Sequence, residues 1–103
     1  MKNRHIETFR TQWSGITIEI RWEPNWLNIS AGSDRSHLEI KAIAPEGAPL
    51  PITETGYLSH FTSAETVASY GGPVAYVDAW LEIESLTPGW LRLQEASRQL
   101  TLF

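Results

Sequence analysis

Histidine and acidic side chains at one point of the chain have the types and spacing of metal ligands. His37 and Glu39 lie two residues apart, so on a strand both side chains point to the same face. His60, with Glu54 nearby in the sequence, would complete a set of nitrogen and oxygen ligands for zinc. The chain has neither H-E-x-x-H nor H-x-H spacing, and a polar pair on the wet face of a strand needs no metal. We therefore favour a solvated strand face and expect no metal and no cofactor.

A nucleophile and a general base are also sequence neighbours. Ser59 precedes His60, but adjacent residues on a strand point to opposite faces and cannot pair with each other. Asp34 or Asp78 would be available to a Ser–His–Asp arrangement, yet no G-x-S-x-G motif supports one. The sequence therefore predicts a protein that is not an enzyme.

Composition narrows the function classes further. The 103 residues, 42% of them hydrophobic, predict one domain with a packed core. The absence of cysteine excludes disulfides, thiolate metal sites and a cysteine nucleophile, and no apolar run approaches the ~20 residues of a membrane span. The net charge is −4 and the eight basic residues are scattered singly, which disfavours direct nucleic-acid binding. We expect a soluble, cytoplasmic protein without membrane or nucleic-acid contact, of undetermined oligomeric state.

The first half of the chain alternates between apolar and polar residues, as strands do. Residues 16–22 alternate strictly, and the turn at Ser14-Gly15 predicts a hairpin with residues 6–13. Residues 37–43 alternate in the same way, and shorter strands are expected at 26–29 and 57–61. The predicted core-facing side chains are Phe9, Trp13, Ile16, Ile18, Ile20, Trp22, Leu38, Ile40 and Ala42.

The second half has the signals of three helices. Thr62 and Glu65 have the spacing of a capping box for a helix over about 63–70. Pro73 opens a second helix, about 73–86, and Thr87-Pro88 caps and opens a third, about 88–98. The predicted inner faces are Val74, Val77, Trp80, Leu81 and Glu84, widened by Tyr76 and Ile83, then Trp90, Leu93 and Ser97.

These elements predict an α+β fold. An antiparallel sheet of three to five strands should have one face covered by two or three C-terminal helices, with Val77 and Trp80 opposite the Ile16–Trp22 stripe. The intervening region Pro49–Phe61 follows a proline-rich loop and is both polar and aromatic. Ordered loops of this kind often bind partners, although a structural crossover explains this segment more simply.

The last five residues have the strongest functional signal in the chain. Gln99, Leu100, Thr101, Leu102 and Phe103 resemble the peptide by which many bacterial proteins dock on the replication sliding clamp, and all five positions fit. The resemblance implies that Gln99 sets the register by a hydrogen bond and that Leu102 and Phe103 fill the deepest pocket. The alternative explanation is a C-terminal segment that packs Leu100, Leu102 and Phe103 on its own core.

The sequence thus predicts a domain at residues 1–98 and a docking peptide at 99–103. The leading function is a non-enzymatic interaction module that docks on the bacterial sliding clamp as an adaptor or inhibitor. The alternative is a small binding protein that uses the Pro49–Phe61 region, with the tail packed. The body resembles small uncharacterised bacterial proteins, a likeness that implies no activity.

Overall fold

The computed structural model describes residues 6–24 and 35–100, with the backbone alone for residues 97–100. This part of the chain forms four strands followed by three helices: β1 (Glu7–Trp13), β2 (Ile16–Glu23), β3 (Arg35–Ala44), β4 (Tyr57–Ser63), α1 (Ala64–Ser69), α2 (Pro73–Glu84) and α3 (Pro88–Leu100). The strands make one antiparallel sheet in the order β1-β2-β3-β4. The predicted α+β class is confirmed. The short strand expected at 26–29 lies outside the described residues.

The first hairpin turns where the sequence predicts. Trp13 pairs with Ile16, which leaves Ser14 and Gly15 as a two-residue loop with φ of 53° and 81°. Positive φ at both positions is what a type I′ turn requires, and this turn matches the twist of the strands it joins.

One face of the sheet forms the core with the helices. The predicted alternation holds: Ile18, Ile20, Trp22, Leu38, Ile40 and Ala42 are all buried, in one cluster with Val67, Val77 and Leu81. Phe9, Trp13, Ile16 and Trp80 are partly buried against that cluster. The expected meeting of the Ile16–Trp22 stripe with Val77 and Trp80 is therefore confirmed.

The connection from β3 to β4 is an ordered loop held by its own backbone. Leu50 and Thr53 exchange hydrogen bonds of 2.8 and 3.0 Å, and the Leu50 side chain is buried in the core. Gly56 closes the loop with φ of 77°. A Cβ there would lie 2.7 Å from the Ala48 carbonyl oxygen, so the turn needs glycine.

The cap of α1 differs from the prediction by one residue. Ser63, rather than Thr62, is the N-cap, and its hydroxyl accepts a 3.2 Å hydrogen bond from the Thr66 N–H. Thr62 belongs to β4, where its carbonyl accepts a 2.6 Å bond from the Ser36 hydroxyl. The sheet register holds Thr62 extended, so the next hydroxyl caps the helix.

The second helix begins at Pro73 as predicted and ends at Glu84, two residues early. Val77 and Leu81 form its buried stripe. Ile83 was expected to widen that stripe but is 62% exposed. No described element packs against that side of the helix, so an apolar side chain there stays in solvent.

As far as its side chains are described, to Ala96, the third helix packs on the body mainly near its start. The Thr87 hydroxyl caps it by accepting a 3.4 Å bond from the Trp90 N–H, as the Thr87-Pro88 signal predicts. Trp90 is buried, with its ring 5.8 Å from that of Trp13. The expected inner position of Leu93 is wrong, since it and all side chains from Leu91 to Ala96 are exposed. The molecule is elongated, 56 × 23 × 18 Å.

Candidate functional site

The face of the sheet that points away from the helices, called the open face below, carries polar and aromatic side chains in rows across the strands. Strand pairing places these side chains side by side in three rows: Arg10, Glu19, Lys41 and Tyr57; Thr8, Arg21, Glu39 and Ser59; and Glu23, His37 and Phe61. Neighbours within a row are about 5 Å apart, so side chains far apart in the sequence form one surface.

A carboxylate at the centre of the open face joins three strands. Glu39 on β3 accepts a 3.3 Å bond from the Arg21 guanidinium on β2 and another of 3.3 Å from the Tyr57 hydroxyl on β4. Partial desolvation and the adjacent Glu39 charge raise the pKa of Tyr57, in keeping with a hydroxyl that donates to a carboxylate. Glu39 thus orients one cation and one aromatic ring.

A serine and a histidine lie together next to Glu39. The His37 Nε2 and Ser59 Oγ atoms are 2.6 Å apart, a distance typical of a nucleophile and its general base. The pair lies on a surface that the described residues leave open, not in a cleft that would exclude water from a substrate. The contact therefore fixes the orientation of the His37 imidazole ring.

Sequence reasoning missed this pair because it connects two strands across 22 residues. Ser59 is the direct cross-strand partner of Glu39, and His37 reaches it diagonally. The predicted alternation of both strands contained part of the information needed. Combined with the β3–β4 pairing register, it places His37 and Ser59 on the same face of the sheet.

Phe61 is the aromatic centre of the third row. The His37 ring lies 4.7 Å from it, and the Arg35 guanidinium lies 6.0 Å from its centroid. The ring remains 41% exposed, and Tyr57 on the same strand is 46% exposed. Two aromatic rings on the open face therefore expose part of their surface to solvent.

The metal ligand set proposed from the sequence is not brought together. His37 and Glu39 share the open face as expected, but β4 turns His60 to the opposite face, where its Nε2 lies 3.1 Å from the Tyr76 hydroxyl oxygen. Among the described residues, no group of three or more histidine and acidic side chains could hold a metal ion. Completion of the site by His60 was therefore wrong, because strand alternation separates it from His37.

His60 instead belongs to an aromatic cluster between β4 and α2. Its ring lies 4.5 Å from Trp80 and 6.1 Å from Tyr76, and Tyr70 meets Tyr76 edge-on at 5.1 Å. Partial burial, and secondarily the positive charge of His37, lower the pKa of His60. A neutral imidazole suits packing between aromatic rings.

The Pro49–Phe61 region is divided by the structure. Its first part, Leu50 to Glu54, lines a groove of about 630 Å³ whose other wall is the start of α3, with Trp90, Arg92 and Leu93. Its last part, from Tyr57, is strand β4. The predicted binding region thus contributes to two separate surfaces, the groove and the open face.

The predicted docking peptide begins within α3. Gln99 and Leu100 have helical backbone, and Thr101, Leu102 and Phe103 lie outside the described residues. The helix thus overlaps the expected domain boundary at residue 98 by two residues. Ser97 was expected on the inner face of this helix, but its side chain likewise lies outside the described residues.

Together these features describe a small α+β domain with an open polar sheet face and a third helix attached near its start. The chain belongs to the family described as the KlcB third domain, whose model matches residues 6–90. No curated protein and no solved structure matches the chain significantly. The match covers all four strands, α1 and α2, and ends at Trp90, before the candidate docking peptide. No helix in the described residues is long and apolar enough to cross a membrane.

Proposed function

We propose that this domain is a non-enzymatic interaction module that docks on the bacterial sliding clamp through Gln99–Phe103, as an adaptor or inhibitor. The proposal is supported by the match of these five residues to the clamp-docking peptide and by the course of the α3 backbone that leads to them. Among the described side chains of α3, the last buried one is Trp90, and residue 99 follows nine residues later, ~14 Å along a helix. The peptide thus starts well beyond the Trp90 contact with the body.

Docking requires a change of local conformation, because a groove-bound peptide is extended whereas Gln99 and Leu100 are helical. The cost is low. The side chains from Leu91 to Ala96 are exposed, Leu93 least at 36%, so little tertiary packing in that stretch stabilises the end of the helix. Terminal turns without such packing unfold at little free-energy cost.

The proposed roles distribute the binding energy unevenly along the peptide. Gln99 hydrogen-bonds at the groove edge, Leu100 makes a secondary apolar contact and Thr101 mostly faces solvent. Leu102 and Phe103 fill the deep pocket. Burying two such side chains contributes roughly 3–6 kcal/mol before ordering costs, which corresponds to micromolar affinity.

The test is titration of purified clamp with the full chain and with a variant that lacks Leu102 and Phe103. We expect micromolar binding by the full chain and none by the truncated one, with unchanged thermal unfolding. Thr101→Ser should be nearly silent. Leu91→Ala is the matched control, because it removes an exposed leucine of the same helix outside the peptide. Equal affinities of the full and truncated chains, or no binding by either at ~100 µM, would end the proposal.

The groove between Leu50–Glu54 and α3 favours a second candidate, a binding protein that uses this region. Its floor includes buried Leu50 and half-buried Ile52, and a partner there would contact both loop and helix. Ile52→Arg separates the two candidates. If this substitution abolishes clamp binding while the truncation does not, the groove and not the peptide is the docking site.

A further inference from the structure

We propose that the open face binds single-stranded nucleic acid, with Tyr57 and Phe61 stacking on bases and the surrounding cations contacting phosphates. The site is separate from Gln99–Phe103, and the inference stands without the clamp proposal. This inference differs from the sequence-based expectation that the protein does not contact nucleic acid. That expectation rested on the spacing of basic residues along the chain, whereas the sheet brings some of them together on one surface.

The first support is the distribution of charge. The open face gathers four of the eight basic residues, Arg10, Arg21, Arg35 and Lys41. Three carboxylates, Glu19, Glu23 and Glu39, share the face, so its described residues carry a net +1. Elsewhere the charged side chains that the structure describes are carboxylates, with Arg92 as the only arginine or lysine among them. A polyanion is therefore attracted more to this face than to the rest of the described surface.

The second support is the greater solvent exposure of the cations. In the Arg10–Glu19 pair the side chains are 66% and 26% exposed, and in the Arg21–Glu39 pair 47% and 31%. Arg35 and Lys41 are exposed as well, whereas Glu23 is buried. The cationic side chains therefore offer a nucleic-acid strand more accessible surface than the carboxylates do.

The third support is the placement of the aromatic rings. Tyr57 and Phe61 are exposed on the same face of β4, four residues and therefore ~14 Å apart. Aromatic rings on a sheet beside cations are the usual platform for unpaired bases, because every base has a π face to stack. His37 and Arg35, both beside Phe61, extend the platform at that end.

These features favour a single strand over the other polyanions. Bases of a duplex are stacked inside it and cannot reach a flat aromatic surface, and four cations form too small a footprint for tight duplex binding. An acidic peptide would use the cations but would leave the two rings without a role. The combination of exposed rings and exposed cations fits unpaired bases joined by phosphates.

The experiment is fluorescence anisotropy of a labelled 15-nucleotide thymidine oligomer with the full chain at low salt. We expect micromolar binding that weakens as salt rises. Phe61→Leu and Tyr57→Leu keep an apolar side chain but remove the ring, and each should weaken binding about 5-fold or more. Tyr70→Leu is the matched control, because Tyr70 is 49% exposed beside α2 and not on the open face; its affinity should equal that of the unmodified chain.

Four results would overturn the inference. The first is no binding at ~100 µM protein, and the second is unchanged affinity in both Phe61→Leu and Tyr57→Leu when circular dichroism shows the native fold. The third is equal affinity for a duplex of the same length, which would indicate charge attraction alone. The fourth is displacement of the oligomer by polyglutamate as effectively as by unlabelled oligomer, which would assign the face to an acidic protein partner.

Discussion

The role of a residue in this domain depends on which face of the sheet it occupies. His37 and His60 are 23 positions apart in the sequence, yet one hydrogen-bonds to Ser59 in solvent and the other packs between Trp80 and Tyr76. Strand alternation alone separates them. The same residue type is therefore part of a surface in one case and part of the helix–sheet interface in the other.

The environment of His60 predicts a pH dependence. Its folded pKa lies below the ordinary value of 6.5, so the unfolded chain takes up the proton first as pH falls. The stability that neutral His60 contributes is fully present above about pH 6.5 and is lost as pH falls through the folded pKa. His60→Gln, which keeps a hydrogen-bonding group for Tyr76, should flatten the dependence of unfolding free energy on pH between about 7 and 5.

An NMR titration checks the cause directly. The His60 resonance should titrate below 6.5, and His37→Gln should move that midpoint upward, because the charge on His37 lowers it. A midpoint at or above 6.5 would contradict the burial argument. A midpoint unchanged by His37→Gln would contradict the argument that the charge on His37 lowers the pKa of His60.

At the scale of elements, the sheet determines where α1 begins, because a residue that is paired in β4 does not also cap the helix. Thr62 and Ser63 are both good capping residues by type, but Thr62 is held in β4 by its pairing with Ser36. Only Ser63 is left to satisfy the first turn of α1.

Substitution of the two residues should therefore have unequal effects on the helix. Ser63→Ala removes the cap and should cost about 0.5–2 kcal/mol of stability. Thr62→Ala keeps the carbonyl that Ser36 uses and leaves the cap intact. Hydrogen exchange at the Thr66 amide measures the difference: it should accelerate in Ser63→Ala only. If exchange accelerated in Thr62→Ala alone, Thr62 would be the N-cap, as the capping-box spacing in the sequence predicts.

Much of this architecture is predictable from the sequence because one face of the sheet is buried and the other is exposed to solvent. Strict alternation from Ile16 to Trp22 determines which side chains are buried, and the Ser14-Gly15 turn determines the partner strand. The exposure of Leu93 and Ile83 is not predictable in the same way, since a helical stripe is buried only where another element covers it. The His37–Ser59 contact likewise depends on the β3–β4 register, which no single strand contains.

At the scale of the whole molecule, stability depends on the core that the described residues form between the sheet and the helices. Ile18 belongs to this core and is fully buried. Ile18→Ala should cost roughly 2–5 kcal/mol, a large share of the stability of a domain of this size. Chemical denaturation measures the loss. Ile83→Ala is the control, because that side chain is 62% exposed and should change stability by less than about 0.5 kcal/mol. Equal losses in the two variants would contradict the described core.

The attachment of α3 through Trp90 has a mechanical consequence. While α3 is fully helical it moves as a rigid unit, and the Leu100 backbone lies ten residues, or ~15 Å, beyond the Trp13–Trp90 contact near its start. A tilt of about 10° at that contact displaces the Leu100 backbone by ~2.6 Å, from the same rise per residue. Small changes in the packing of the two tryptophans are thus magnified at the far end of the helix. The geometry of the Trp13–Trp90 pair therefore sets the direction of the α3 axis as far as Leu100.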